Sequence, residues 1–120
     1  MLAINAEKLN DLAVVECRGR IVKSDSVFKL RDYVQSQAPA KVIAIDLSAV
    51  EEIGGGGLGM LAFLQGWARD RNIRFKLFSP SRAVVKGLAQ TRSIVSFEIA
   101  SFHEMMGMLG DADGRLSSAA

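Results

Sequence analysis

The sequence predicts an α/β domain: a mixed β-sheet of about five strands flanked by about four α-helices. Three observations carry this. Some segments repeat apolar residues with a helical period, while others alternate them or run them together. The two kinds of segment succeed one another as β-β-α-β-α-β-α-β-α. Strands separated by helices need crossover connections, so much of the sheet is expected to be parallel. The 120 residues, 49% hydrophobic and 23% charged, suit one domain with its own core, assigned to residues 1–110, with a small, polar, flexible tail over 111–120.

Taken in order, a weak strand over Leu2–Ala6 and a stronger one over Ala13–Ile21 flank Asn10-Asp11, two residues that tolerate turn geometry. They form an antiparallel hairpin. Ser24-Asp25-Ser26 offers N-cap residues for a helix whose apolar face is Val27, Leu30 and Val34, ended by Ala38-Pro39. Val42–Leu47 is too uniformly apolar for a half-exposed strand and belongs at the sheet centre. A helix opens near Gly57 and runs to about Asn72. Ile73–Phe78 alternates, as a half-buried strand does. Ser79, a capping residue followed by a first-turn proline, starts a third helix with Val84, Val85, Leu88 and Ala89 on its apolar side. A last strand, Ser96–Ile99, leads to Ser101 and Glu104. Their S-x-x-E spacing is a capping box opening a helix through Met105, Met106, Met108 and Leu109, ended by Gly110.

Composition narrows function. Fifteen Lys and Arg against thirteen acids give a net charge of +2, with no run of five or six like charges, so no clustered nucleic-acid footprint is expected. No apolar stretch reaches the roughly 18–20 residues that span a bilayer, so no membrane insertion is expected. The first residues lack the pattern of a secretory signal, and one cysteine permits no internal disulfide. The expected compartment is cytoplasmic. Cys17, in a strand pattern, reads as a small buried apolar residue rather than a reactive thiol.

The most informative motif is Gly54-Gly55-Gly56-Gly57, between a strand and an amphipathic helix. A strand that delivers a loop to a helix N-terminus presents unpaired N–H groups and the positive end of the helix dipole. That suits a phosphate, a phosphorylated side chain or an acidic partner. The glycines contribute backbone alone. Gly54-x-Gly56-x-x-Gly59 satisfies the dinucleotide fingerprint only formally: several residues separate Leu47 from Gly54, and the next strand ends in Leu77-Phe78-Ser79 without a carboxylate. Met60 and Leu61 stand where a P-loop needs Lys and Ser/Thr. His103, the one histidine, reads as a surface residue. One His and one Cys make no closed zinc site, and Asp46, Glu51 and Glu52 read as solvated decoration. No catalytic residue, metal site or cofactor is therefore assigned.

The helix after the glycines is apolar on two faces, Leu58, Leu61, Gln65 and Ala68 on one, Met60, Phe63, Leu64 and Trp67 on the other. Such a helix is buried against its neighbour or docks a partner with the second face. Both readings stand.

Ile45-Asp46-Leu47-Ser48-Ala49-Val50-Glu51-Glu52-Ile53, the glycine run and Leu58-Gly59-Met60-Leu61 resemble the STAS domain of anti-sigma-factor antagonists. Ser79-Pro80-Ser81 through Thr91 resembles that family's "SPS..V...L..T" segment, and Gly19-Arg20-Ile21 its upstream "G.I". The match spans roughly residues 2 to 109. The resemblance implies a STAS-like mixed sheet and non-enzymatic binding of an anti-sigma factor, often a serine kinase-like protein. Partner switching in that family is controlled by phosphorylation of a serine in the loop. Aligned on Leu58-Gly59, Gly55 falls at the phosphoacceptor position and cannot accept phosphate. Val22 stands near where many members carry an aspartate.

The expected partner surface is Gly54, Gly55, Gly56, Gly57, Leu58, Met60 and Phe63. Met60→Asp is expected to abolish capture with little loss of stability, and the glycines to form a mobile loop whose ordering opposes tight binding. The chain reads as an unregulated antagonist, a module turned to another partner, or a chain whose serines were engineered away. The runner-up function is a STAS module that binds a nucleotide or other phosphate ligand weakly, or an accessory subunit of a lipid-transport system. Either a monomer or a homodimer fits the sequence.

Overall fold

Asn10, in the left-handed region at φ 57°, turns the chain between two strands, β1 (Leu2–Leu9) and β2 (Leu12–Ile21), which pair antiparallel without a register break. The computed structural model describes residues 1–91 and 97–112. Helix α1 (Ser24–Gln35) leads to β3 (Val42–Ile53), α2 (Gly55–Asp70) to β4 (Arg74–Phe78), and α3 (Arg82–Thr91) to a two-residue β5 (Ile99–Ala100) and α4 (Phe102–Ala112). The sheet runs β1-β2-β3-β4-β5 in space, and every pairing after the hairpin is parallel. The predicted element order and the mixed five-stranded sheet are those observed.

Side-chain alternation divides the molecule into two cores. Ala13, Val15, Cys17 and Ile21 of β2 face the main core, with Val27, Leu30 and Val34 of α1, Leu61, Leu64 and Ala68 of α2, and Val84 of α3. Leu12 and Ala44 face the other way, under Met105, Met108 and Leu109 of α4. Beyond α4 this second face is open: Glu16, Arg18 and Arg20 are exposed, and Arg20 pairs with Glu52 at 3.7 Å.

Several boundaries differ from the sequence reading, each for a local reason. β3 continues to Ile53 instead of stopping at Leu47. Register shifts against β2, between Glu16 and Arg18 and between Gly19 and Arg20, absorb the extra residues. In its second half Ser48, Ala49, Glu51 and Glu52 are exposed while Val50 stays buried, so the apolar run ends before the strand does. The cap of α1 is Lys23, without a side-chain bond, and Ser24 is already helical; the helix ends at Gln35, before Ala38-Pro39. Ser81, not Ser79, caps α3: its Oγ accepts from the Val84 N–H at 3.3 Å and donates to the Val50 carbonyl at 2.7 Å. β4 is not half-exposed, because Lys76 is 2% exposed and its ammonium meets Glu98 Oε2 at 2.6 Å. The capping box of α4 is present: Ser101 N–H donates to Glu104 Oε1 at 2.9 Å, and Glu104 N–H to Ser101 Oγ at 3.0 Å. That helix passes Gly110 and reaches Ala112. Of the expected last strand, Ser96 lies outside the described residues, as do residues 113–120 of the expected tail.

Candidate interaction surface at the start of α2

β3 ends at Ile53 and hands the chain directly to Gly54, which caps α2 from an extended conformation. Its N–H donates to the Ile21 carbonyl at 3.0 Å, and its own carbonyl accepts from Leu58 at 3.0 Å. Gly55, Gly56 and Gly57 form the first turn of the helix. The expected glycine loop is therefore a cap and a helical turn. First-turn N–H groups have no intrahelical acceptor, and neither an acidic residue nor a side-chain cap stands there to take them.

The four glycines divide by what a side chain would meet. A Cβ at Gly57 would lie 2.8 Å from the Ile21 carbonyl oxygen and 2.8 Å from Ile53 Cγ1. Gly57 is buried, and its missing side chain lets α2 lie against the ends of β2 and β3. It belongs to the packing, not to an exposed surface. At Gly55 nothing lies within 4 Å; at Gly54 and Gly56 the nearest atoms, on Val22 and Val27, are at 3.9 and 3.7 Å. These three positions have room for a side chain and carry none.

Along α2, Gly57, Leu61, Leu64 and Ala68 turn to the sheet. At 3.6 residues per turn, Gly56, Met60, Phe63 and Trp67 fall on the flank toward α1, as the proximity of Gly56 to Val27 shows. Leu58 falls on the flank toward α3, where its methyl groups lie against Gly87. The two apolar faces read from the sequence are thus one buried stripe with two flanks. Met60 and Trp67 are half-buried against the main core, whereas Phe63 is 54% exposed. Met60→Asp would place a carboxylate partly inside the protein, so Phe63 is the cleaner probe of a docking surface. On α1, Phe28 is also exposed, with the Arg31 guanidinium 4.9 Å from its ring centre. Arg71 lies at the same distance over Trp67. Phe28 was not singled out from the sequence, where its off-period position reads as noise.

Elsewhere the chemistry is sparse. A depression of about 190 Å³ on the open sheet face brings together Asn5, Glu16, Arg18, Asp46 and Ser48. Burial, and after it the charge of Asp46, pushes the Cys17 thiol up to about 12. At neutral pH it is a protonated thiol. Asp46 Oδ1 accepts from the Ser48 N–H at 2.9 Å. His103, Glu51 and Glu52 are exposed. Among the described residues no three His, Cys, Asp or Glu side chains converge on a point that could hold a metal ion. No helix among the described residues is long and apolar enough to cross a membrane.

Strands in sequential order behind an antiparallel hairpin, with three helices on one face and one on the other, recur in solved structures. The anti-sigma factor antagonist SpoIIAA, in its unphosphorylated form, matches with a TM-score of 0.72 over 91% of this chain and 97% of that one, at 15% identity. The chain has the STAS fold. An anti-sigma factor antagonist from Mycobacterium paratuberculosis matches this STAS-fold chain at 0.71 and 18% identity, over 90% of this chain and 93% of that one. RsbS from Moorella thermoacetica matches at 0.70 and 18%, over 90% and 95%. No protein-family model and no curated protein matches the sequence of this STAS-fold chain.

Proposed function

We propose that the chain is a non-enzymatic STAS interaction domain that captures a protein partner through the start of α2, in a partner-switching pathway, without a phosphorylatable serine in the contact. The surface is Gly54, Gly55 and Gly56 with Phe63, bordered by Leu58 and Met60. One observation carries the reading: three consecutive residues at an open helix start have room for side chains and present only backbone, beside an exposed phenylalanine. Within the helical turn, Gly55 and Gly56 each destabilise the chain by up to roughly 0.5–1 kcal/mol relative to alanine. Close approach of another macromolecule gives the bare backbone a use. Among the similar structures are antagonists of anti-sigma factors, so the partner expected here is an anti-sigma factor or serine kinase-like protein.

The test is capture of such a partner from the source cell by the chain and by its Phe63→Asp and Gly55→Ser variants. Phe63→Asp is expected to lose the partner while keeping its thermal midpoint. Gly55→Ser should become a kinase substrate that phosphorylation releases, since a phosphoserine adds about −1.5 to −2 charges to the contact; the unaltered chain should take no phosphate there. Unchanged capture by a folded Phe63→Asp protein rejects the surface.

A phosphate-bearing ligand is the second reading, favoured by a specific arrangement. The starts of α1 and α2 lie side by side, Gly54 against Val22 and Gly56 against Val27, and neither helix has a side-chain cap. The two dipole ends and the N–H groups of the first turn of α2 attract an anion, against the Asp25 carboxylate in the first turn of α1, whose Oδ1 accepts from the Ser26 N–H at 3.0 Å. Amide shifts over Gly54–Leu58 on titration with micromolar GTP or ATP support it, and their absence removes it.

A further inference from the structure

β1 is the outer strand of the sheet among the described residues and pairs with β2 alone. In an antiparallel ladder, alternate residues turn both backbone polar groups to the same side. The Arg20 N–H donates to the Met1 carbonyl at 3.0 Å, so Met1, Ala3, Asn5 and Glu7 face β2, and Leu2, Ile4, Ala6 and Lys8 face outward. The Lys29 ammonium takes the outward carbonyl of Leu2 at 2.7 Å. The N–H and C=O groups of Ile4, Ala6 and Lys8 remain as an open template centred on Ala6. Exposed edges are ordinarily guarded by proline, a bulge or dense charge. Here the register runs unbroken from Leu2 to Leu9, there is no proline, and the only charges are Glu7 and Lys8.

We propose that this edge pairs with a second copy of the chain, β1 against β1, antiparallel about a two-fold axis through Ala6. Parity and charge choose the register. Outward residues must meet outward residues, which excludes every pairing offset by one. An axis at Glu7 opposes two glutamates, and an axis at Lys8 opposes two lysines. An axis at Asn5 sets Lys8 opposite Leu2, beside the Lys29 ammonium. An axis at Ala6 sets Ile4 opposite Lys8, Ala6 opposite Ala6, and Asn5 opposite Glu7. It opposes no like charges and gives each Glu7 carboxylate an amide neighbour. About six N–H···O bonds close, and the half-buried Ile4 and Ala6 gain cover.

One strand edge buries less than the roughly 1,000 Å² of a durable interface, so the dimer is weak, with a Kd on the order of 100 μM. It leaves α2 untouched, and each pair presents two partner surfaces.

Sedimentation equilibrium of the full chain from about 10 to 1,000 μM is expected to show a monomer passing to a dimer. Ala6→Pro removes an N–H that faces outward, so the bonds to β2 survive. It is expected to weaken the dimer about tenfold or more at an unchanged thermal midpoint. Directly opposed, hydrogen-bonded Cα atoms lie about 5.5 Å apart, within disulfide reach. Ala6→Cys is therefore expected to give a covalent dimer on mild oxidation, while Lys8→Cys and the unaltered chain, with its buried Cys17, give none. The proposal is overturned by a chain that stays monomeric to about 1 mM, by a dimer that a folded Ala6→Pro protein leaves unchanged, or by cross-linking at Lys8→Cys in preference to Ala6→Cys.

Discussion

At the scale of single residues, glycines that look alike in the sequence have opposite roles. Gly57→Ala pushes a methyl group against the Ile21 carbonyl and Ile53, and is expected to destabilise the fold by about 1–3 kcal/mol, read as a lower urea midpoint. Gly59 sits inside α2 with nothing within 4 Å of a Cβ. Gly59→Ala should therefore stabilise by about 0.8–1 kcal/mol and raise the thermal midpoint. If α2 receives a partner closely, the same methyl group weakens capture, so stability and binding move in opposite directions. A run of four glycines was legible as a special backbone site beside a helix start. Which of them faces the interior was not, because that depends on Ile21, more than thirty residues earlier, and on a strand longer than its apolar run.

Among the elements, the attachment of β5 and α4 shows where pattern reading stops. Lys76 alternates with Phe75 and Leu77 and so reads as a solvated residue on a half-buried strand. It is buried because Glu98, twenty-two residues on, supplies the countercharge. No local rule links the two. The capping box of α4, by contrast, lies within four residues and was legible. Bonding to the Lys76 ammonium holds the Glu98 carboxyl below its ordinary value of 4.5, and the Ser101 N–H does the same for Glu104. A depressed carboxyl stabilises the fold above its unfolded value and loses that contribution as the pH falls through the folded one. Protection of the β5–α4 amides is thus expected to be full at neutral pH and to fall below about pH 4.5, as measured by hydrogen exchange. Glu98→Gln should flatten that acid limb. Lys76→Met, which removes a buried charge and leaves Glu98 in solvent, should flatten it too, with overall stability changed by no more than about 1 kcal/mol. A steep acid limb in both variants would place the sensitivity elsewhere.

For the molecule as a whole, the parallel pairing after the hairpin followed from the alternation of strand and helix, since each parallel crossover carries its own helix. The central place of β3 followed from its apolar run. The order of the strands in the sheet was not legible. Nor was the uneven cover of the two faces: three helices lie over one, and α4 over part of the other, an arrangement set by packing and not by local period. Cys17 lies in the larger interior, 2% exposed, with its proton held to about pH 12. Peroxide and electrophiles that attack cysteine act on the thiolate, so in the folded chain this sulfur is blind to both. An alkylating reagent reaches this sulfur only when the hairpin and α1 part company. Its labelling rate becomes a stopwatch for whole-chain opening, one that ticks faster in Gly57→Ala and slower in Gly59→Ala without any added probe.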